Sequence, residues 1–213
     1  NGSATNTAGN NLIPSAGTGG CTVPPQTTGG TIFNNTVAGL PAGTTLAQVR
    51  VNFTHTFCSD IDMYLFAPNG QIIELSTDNG GGGDNYTNTI FNDAAAISIT
   101  AGTPPFTGTF RPEGTLTASA CGTTITPTVT TLGGFTAGQN GVWTLRIKDD
   151  VGSDAGTMLN WSLTFLPPPI QPCAQNFDGV TAPALPTGWT STTLTDCASS
   201  NPWATTNTGF NSA

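Results

Sequence analysis

Basic side chains are almost missing from this sequence: four lysines and arginines stand against twelve acidic residues, for a formal net charge of −8. A chain so short of lysine and arginine cannot neutralise a run of phosphates, which excludes nucleic acid as a partner and removes any attraction to an anionic membrane. Charged residues of either sign make up only 8% of the chain, so Thr, Gly, Asn and Ser must solvate the surface, a style common in secreted β proteins. No apolar run reaches the roughly eighteen residues that read as a membrane-spanning helix, and no membrane insertion is expected. There is one histidine, and the five cysteines form no Cys-x-x-Cys pair. That pattern lacks a zinc signature and fits disulfides formed in an oxidising, extracellular compartment. The pairing stays open: Cys173 and Cys197 can close a loop, while Cys21, Cys58 and Cys121 have one bond to share among three choices. Asn1 opens with neither a basic nor an apolar leader segment, so any secretion signal is expected upstream or already removed.

What is present is a period of two. Val51, Phe53, His55 and Phe57 alternate with Arg50, Asn52, Thr54 and Thr56, which puts the first set on one face of a half-buried strand. Ile61, Met63 and Leu65 repeat the pattern, as do Trp143, Leu145 and Ile147 against Thr144, Arg146 and Lys148, and then Trp161, Leu163 and Phe165. Each of these strands is expected to keep one wet face. Turn signals separate them: Pro68-Asn69-Gly70, the glycines at 80–83, Pro104-Pro105 and Gly133-Gly134. Many short strands with no helical period predict an all-β sandwich of two antiparallel sheets.

The pattern is continuous from Thr31 to Phe165, which defines a domain over 31–166. Residues 1–30 read as an extended arm or linker in which Leu12, Ile13 and Val23 offer something to bury. Consecutive prolines at 167–169 open a linker over 167–172, because proline cannot donate to a strand ladder. The segment 173–213 changes character and reads as part of a second β domain.

In order and spacing, VNFTHTFCSDIDMYLFAP at 51–68, NGQIIEL, the aspartate-bearing glycine run, and GVWTLRIKDDVGSDAGTMLNWSLTF at 141–165 resemble the P domain, or Homo B domain, that follows the catalytic domain in proprotein convertases and recurs in secreted bacterial proteins. The resemblance implies a jelly-roll β-sandwich. Asn176-Phe177-Asp178-Gly179, Leu185-Pro186-Thr187-Gly188-Trp189 and Pro202-Trp203 resemble the opening strands of a cleaved-adhesin or choice-of-anchor jelly roll, and the native chain is expected to continue past Ala213.

The constellation with chemical content is acidic. Asp60 and Asp62 open a strand, Asp78 enters the glycine run, Asp84-Asn85 leave it, Asp93 follows, and Asp149, Asp150 and Asp154 flank a second turn. Calcium takes six to eight oxygen ligands from carboxylates, amides and backbone carbonyls, and glycine lets a loop offer those carbonyls. The expected cofactor is Ca2+, and the resemblance implies Asp60, Asp84, Asn85 and Asp93 as ligands, with Asp78 beside them. His55 is expected in the core, and no serine nucleophile stands in a recognisable turn, so no catalytic residue is assigned. Trp143 and Trp161 fall in phase with the core. Tyr64, Tyr86 and Phe106 are read as surface aromatics.

The expected role is a non-catalytic, calcium-stabilised module of a secreted or surface-displayed bacterial protein, serving adhesion, assembly or spacing with a protein or glycan partner. Two rival roles stand beside it. One is the P domain of a secreted subtilisin-like protease, stabilising an upstream catalytic domain. The other is the repeating subunit of a filament or homo-oligomer built by strand addition.

Overall fold

The computed structural model describes residues 3–6, 12–15, 30–115, 125–136 and 138–168. By internal contacts the chain divides into Asn1–Pro168 and Pro169–Ala213. The second unit, with its adhesin-like start, Trp189, Trp203, Cys173 and Cys197, lies outside the described residues, as do Cys21 and Cys121.

The described strands are β1 (Ser3–Asn6), β2 (Leu12–Ile13), β3 (Thr31–Val37), β4 (Thr45–His55), β5 (Ile61–Phe66), β6 (Ile72–Thr77), β7 (Tyr86–Phe91), β8 (Phe106–Phe110), β9 (Gly141–Asp149) and β10 (Gly156–Leu166). They form a six-stranded sheet in the order β1-β10-β4-β7-β8, with β2 also on β10, and a four-stranded sheet in the order β3-β9-β5-β6. This is the expected β-sandwich. One pair departs from it: β8 runs parallel to β7. A parallel neighbour needs a crossover of about a dozen residues, and the loop and 3-10 turn between Phe91 and Phe106 supply it.

Period-two alternation builds the core. Val49, Val51 and Phe53 of β4 and Trp161, Leu163 and Phe165 of β10 face Trp143, Leu145 and Ile147 of β9 and Ile61, Met63 and Leu65 of β5, all 1% exposed or less. Phe135, Trp143 and Phe165 meet edge to face, with ring centroids 5.0 and 5.7 Å apart. Tyr86 and Phe106 are not surface aromatics. Both are fully buried, and Tyr86 stacks on Phe53 at 4.6 Å and on Phe106 at 4.7 Å. Phe57 departs in the other direction: β4 ends at His55, and Phe57 is 38% exposed at the entrance to a 3-10 turn over Cys58–Asp60.

The wet face expected on the smaller sheet is dry over β5, where all six residues are buried. Its outer side is covered by residues 113–115 and 125–129. Thr128 and Val129 donate their N–H groups to Ile72 O, and Glu113 and Gly114 donate to Leu75 O and Glu74 O. Tyr64, Phe66, Ile72 and Ile125 form a second apolar cluster beneath this cover. Arg146, whose place in the alternation predicts exposure, is therefore 1% exposed. Two described pieces of the arm pair with β10: Ser3–Asn6 lie opposite Thr164–Trp161, and Ile13, opposite Gly156, is fully buried.

Candidate functional site: the acidic end of the sandwich

β5 starts where β4, β6 and β9 finish, so the carboxylates at those strand ends come together. Asp60 closes the 3-10 turn before β5, and its carbonyl accepts the Asp150 N–H at 2.9 Å. Asp62 lies across from Thr77 on one side and Lys148 on the other. Asp78 leaves β6 with φ 55°, a left-handed conformation that aspartate tolerates better than bulkier residues, and donates its N–H to Ile61 O at 3.3 Å. The glycine run folds over this turn, with Cys58 N–H donating to Gly83 O and Ser59 N–H to Gly81 O.

The electrostatics record the crowding. Burial first, then the charges of Asp150 and Asp78, push the Asp62 carboxyl up to about 7, against the opposing pull of Lys148. Asp78 is raised by burial, then by Asp150, Asp60 and Glu74. Asp60 is raised by burial, then by Asp149, Asp154 and Asp150, with His55 opposing. Asp60 and Asp62 are 5% and 2% exposed, and Asp150 Oδ1 is buried with no hydrogen-bond partner. An orphaned buried carboxylate oxygen costs on the order of 1–3 kcal/mol unless something meets it.

Of the residues expected as ligands, the structure brings Asp60 and Asp78 to this cluster, where Asp62 and Asp150 join them. It places the others elsewhere. Asp84 is exposed beside the glycine run, and its charge acts on Cys58. The Asn85 side-chain oxygen accepts the His55 N–H at 3.0 Å, and the Asn85 backbone N–H donates to His55 O at 3.0 Å, which fixes its left-handed φ of 71° as a strand-pairing device. Asp93 follows the far end of β7 and accepts the N–H groups of Leu132 and Gly133, both at 2.8 Å. Among the described residues no three acidic, thiol or imidazole side chains close on one point by themselves. Asp150 carried a signal in sequence, a doubled aspartate where an alternating strand gives way to a Gly-rich turn. Glu74, buried at 3%, and Arg146 carried none, because their burial depends on the outer side of the sheet being covered, by residues such as 113–115 and 125–129, which strand alternation does not show.

The single histidine is sealed beside this cluster. His55 Nε2 lies 3.2 Å from Asp149 Oδ2, with both side chains fully buried, and Nδ1 lies 2.9 Å from Phe57 O. Asp149 is raised by burial, against the opposing hydrogen bonds from the Val151 N–H and from His55. With both ring nitrogens engaged, His55 ties the end of β4 to the end of β9. Cys58 beside it is a free, fully buried thiol pushed up to about 12 by burial and the Asp84 charge.

Comparison with known proteins agrees with the strand pattern. The proprotein convertase P-domain family model matches residues 45–103 and 123–165. Leupeptin-inactivating enzyme 1 of Streptomyces exfoliatus is 26% identical over 118 residues, 55% of this chain and 18% of that enzyme. A serine protease of Aeromonas sobria aligns both in its complex with the chaperone ORF2, at a TM-score of 0.42, and by itself, at 0.41. Both alignments have 15% identity and cover 76% of this chain and 25% of the other. The chain thus spans less than a fifth of the curated relative it matches. On the family match that brackets β4 to β10, this chain belongs to the proprotein convertase P-domain family.

Proposed function

We propose that this domain is the non-catalytic accessory module of a secreted protease, stabilising a catalytic domain joined upstream of it. The observation that carries the reading is P-domain membership over 45–103 and 123–165 in a chain whose one histidine is locked between Asp149 and the Phe57 carbonyl. The Streptomyces relative adds support, since the match takes up 18% of an enzyme and leaves the rest of that protein for other work. This favours the protease role over free-standing adhesion, spacing or filament building. The test is to express the encoded precursor with and without residues 1–168 and follow peptidase activity over hours at 37 °C. Faster inactivation without the module is expected. A precursor that encodes no peptidase, or one whose lifetime ignores the deletion, would falsify the reading.

We propose also that the acidic end takes a hard divalent cation, calcium by its all-oxygen character. The supporting observations are the mutual repulsion of Asp60, Asp62, Asp78 and Asp150 and the orphaned Asp150 Oδ1. Because the carboxylates do not close on one point alone, backbone carbonyls must complete the shell, as calcium sites allow. Calorimetric titration of calcium into the chelator-treated domain tests this, with Asp150→Asn expected to abolish the heat.

A further inference from the structure

Asparagine followed by glycine is the step at which a polypeptide backbone most readily attacks its own side chain, because no Cβ on the second residue hinders the approach. Three such steps lie among the described residues: Asn69-Gly70, Asn79-Gly80 and Asn140-Gly141. The attack needs the glycine nitrogen and the asparagine side-chain carbonyl to be released from other bonds. Two of the steps are tied down. Gly70 donates its N–H to Ala67 O at 3.0 Å, and Asn69 Oδ1 accepts the Gln71 N–H at 3.0 Å. Asn140 Oδ1 accepts the Leu40 N–H and its Nδ2 donates to Leu40 O, both at 2.9 Å, while Gly141 opens β9 opposite Val37.

Asn79-Gly80 is different. Among the described residues neither the Gly80 N–H nor Asn79 Oδ1 has a hydrogen-bond partner, whereas Asn79 Nδ2 donates to Glu113 Oε2 at 2.8 Å and to Ser76 Oγ at 3.0 Å. Nor can the fold exchange this glycine for a slower neighbour. Gly80 has φ 92°, and a Cβ there would meet Pro104 Cγ at 2.6 Å and the Phe106 ring at 2.8 Å. The Asn79 amide also matters to the residues around it. Glu113 Oε2 accepts the Thr77 N–H at 3.0 Å as well, so one carboxylate grips the chain on both sides of Asp78. Glu113 and Gly114 in turn donate their N–H groups to Leu75 O and Glu74 O of β6, both at 3.1 Å. Burial raises the Glu113 carboxyl, the hydrogen bonds from Asn79 and Thr77 oppose the rise, and the charges of Glu74 and Asp78 add to it.

We propose that Asn79 is a site of spontaneous deamidation, and that the carboxylate gained there, facing Glu113, loosens residues 113–115 from β6. The Gly80 nitrogen bonds to Asn79 Cγ and gives up its proton; the Cγ–Nδ2 bond breaks, and Nδ2 leaves as ammonia. Water then opens the resulting cyclic imide at either carbonyl, giving aspartate at position 79 or an isoaspartate whose main chain runs through the side-chain carbon. One water is consumed, one ammonia is released, and nothing is oxidised or reduced. Glu113 Oε2 loses one of its two donors and meets a like charge in its place, which repels it. The change does not reverse, so it marks the age of the chain.

The test ages the folded chain at mildly alkaline pH and reads each Asn-Gly step by peptide mass mapping, in which conversion raises the mass by one unit, with a sample aged in urea as the reference. Unfolded, the three steps are equivalent and should convert at similar rates. Folded, Asn79 is expected to convert at least about fivefold faster than Asn69 and Asn140, the effect of one hydrogen bond that must break first. Conversion of Asn69 or Asn140 as fast as Asn79, or an Asn79 that stays intact in the folded chain while the urea sample converts, overturns the site. For the consequence, Asn79→Asp stands in for the converted chain. Faster amide exchange at residues 113–115 than in the unaltered chain is expected, and unchanged exchange there overturns the loosening.

Discussion

Asp62, at 2% exposure and with its carboxyl pushed up to about 7, holds a proton in the folded domain that the unfolded chain releases near pH 4. Between those values the folded state binds more protons, so stability falls as pH rises from about 4 towards 7 and levels off above. Asp60, Asp78 and Asp149 are shifted the same way. In chelator, the melting temperature is therefore expected to be higher at pH 5 than at pH 7.5; a drop on acidification over that interval contradicts the arrangement. Two aspartates separate site from scaffold. Asp150→Asn should remove the calcium response, whereas Asp93→Ala should leave it intact and cost about 1–3 kcal/mol in urea unfolding, because Asp93 serves the Leu132 and Gly133 N–H groups. In sequence the two looked alike, both aspartates next to turns. Only the length of β7 separates Asp93 from the glycine run.

At the scale of elements, β10 organises the larger sheet, with β4 on one side and the N-terminal strands on the other. Gly156 marks a close approach: a Cβ there would meet Thr54 O and the His55 ring. Gly156→Ala is expected to destabilise by more than 1 kcal/mol, measured by denaturant midpoint, since the obstacle on one side is backbone. Ile13 is buried opposite Gly156, and Ile13→Ala should cost about 2–5 kcal/mol if the arm belongs to the fold. A cost near zero would return the arm to the status of a linker. The alternation that gives β4, β9 and β10 was plain in sequence because each has one face in the core. β5 was harder to read: its polar positions, Asp62 and Tyr64, are buried by a cover contributed from elsewhere in the chain.

For the described domain as a whole, carboxylates gather at one end of an apolar sandwich. Calcium is expected to raise the melting temperature of the domain, and chelator to lower it, by linkage to the folded state alone. The rise should shrink below pH 7, where protons compete for the same carboxylates. Equal melting curves with calcium and with chelator at pH 7.5 would remove the cation from the account. The family resemblance sets Asp60, Asp84, Asn85 and Asp93 together, with Asp78 beside them. Asp84 and Asn85 stay on the glycine run at the acidic end, whereas β7 carries Asp93 to the far end of that strand, where it serves Leu132 and Gly133.

By itself the sequence determined the all-β sandwich, the inward faces of β4, β5, β9 and β10 up to His55, and the family, because a period of two and the turn residues are local properties of the chain. Which aspartates meet, which tyrosines vanish into the core, and why Arg146 is dry were decided by the tertiary structure. Each depends on strand order and on a covering segment that pairs through backbone hydrogen bonds, which side-chain patterning does not encode.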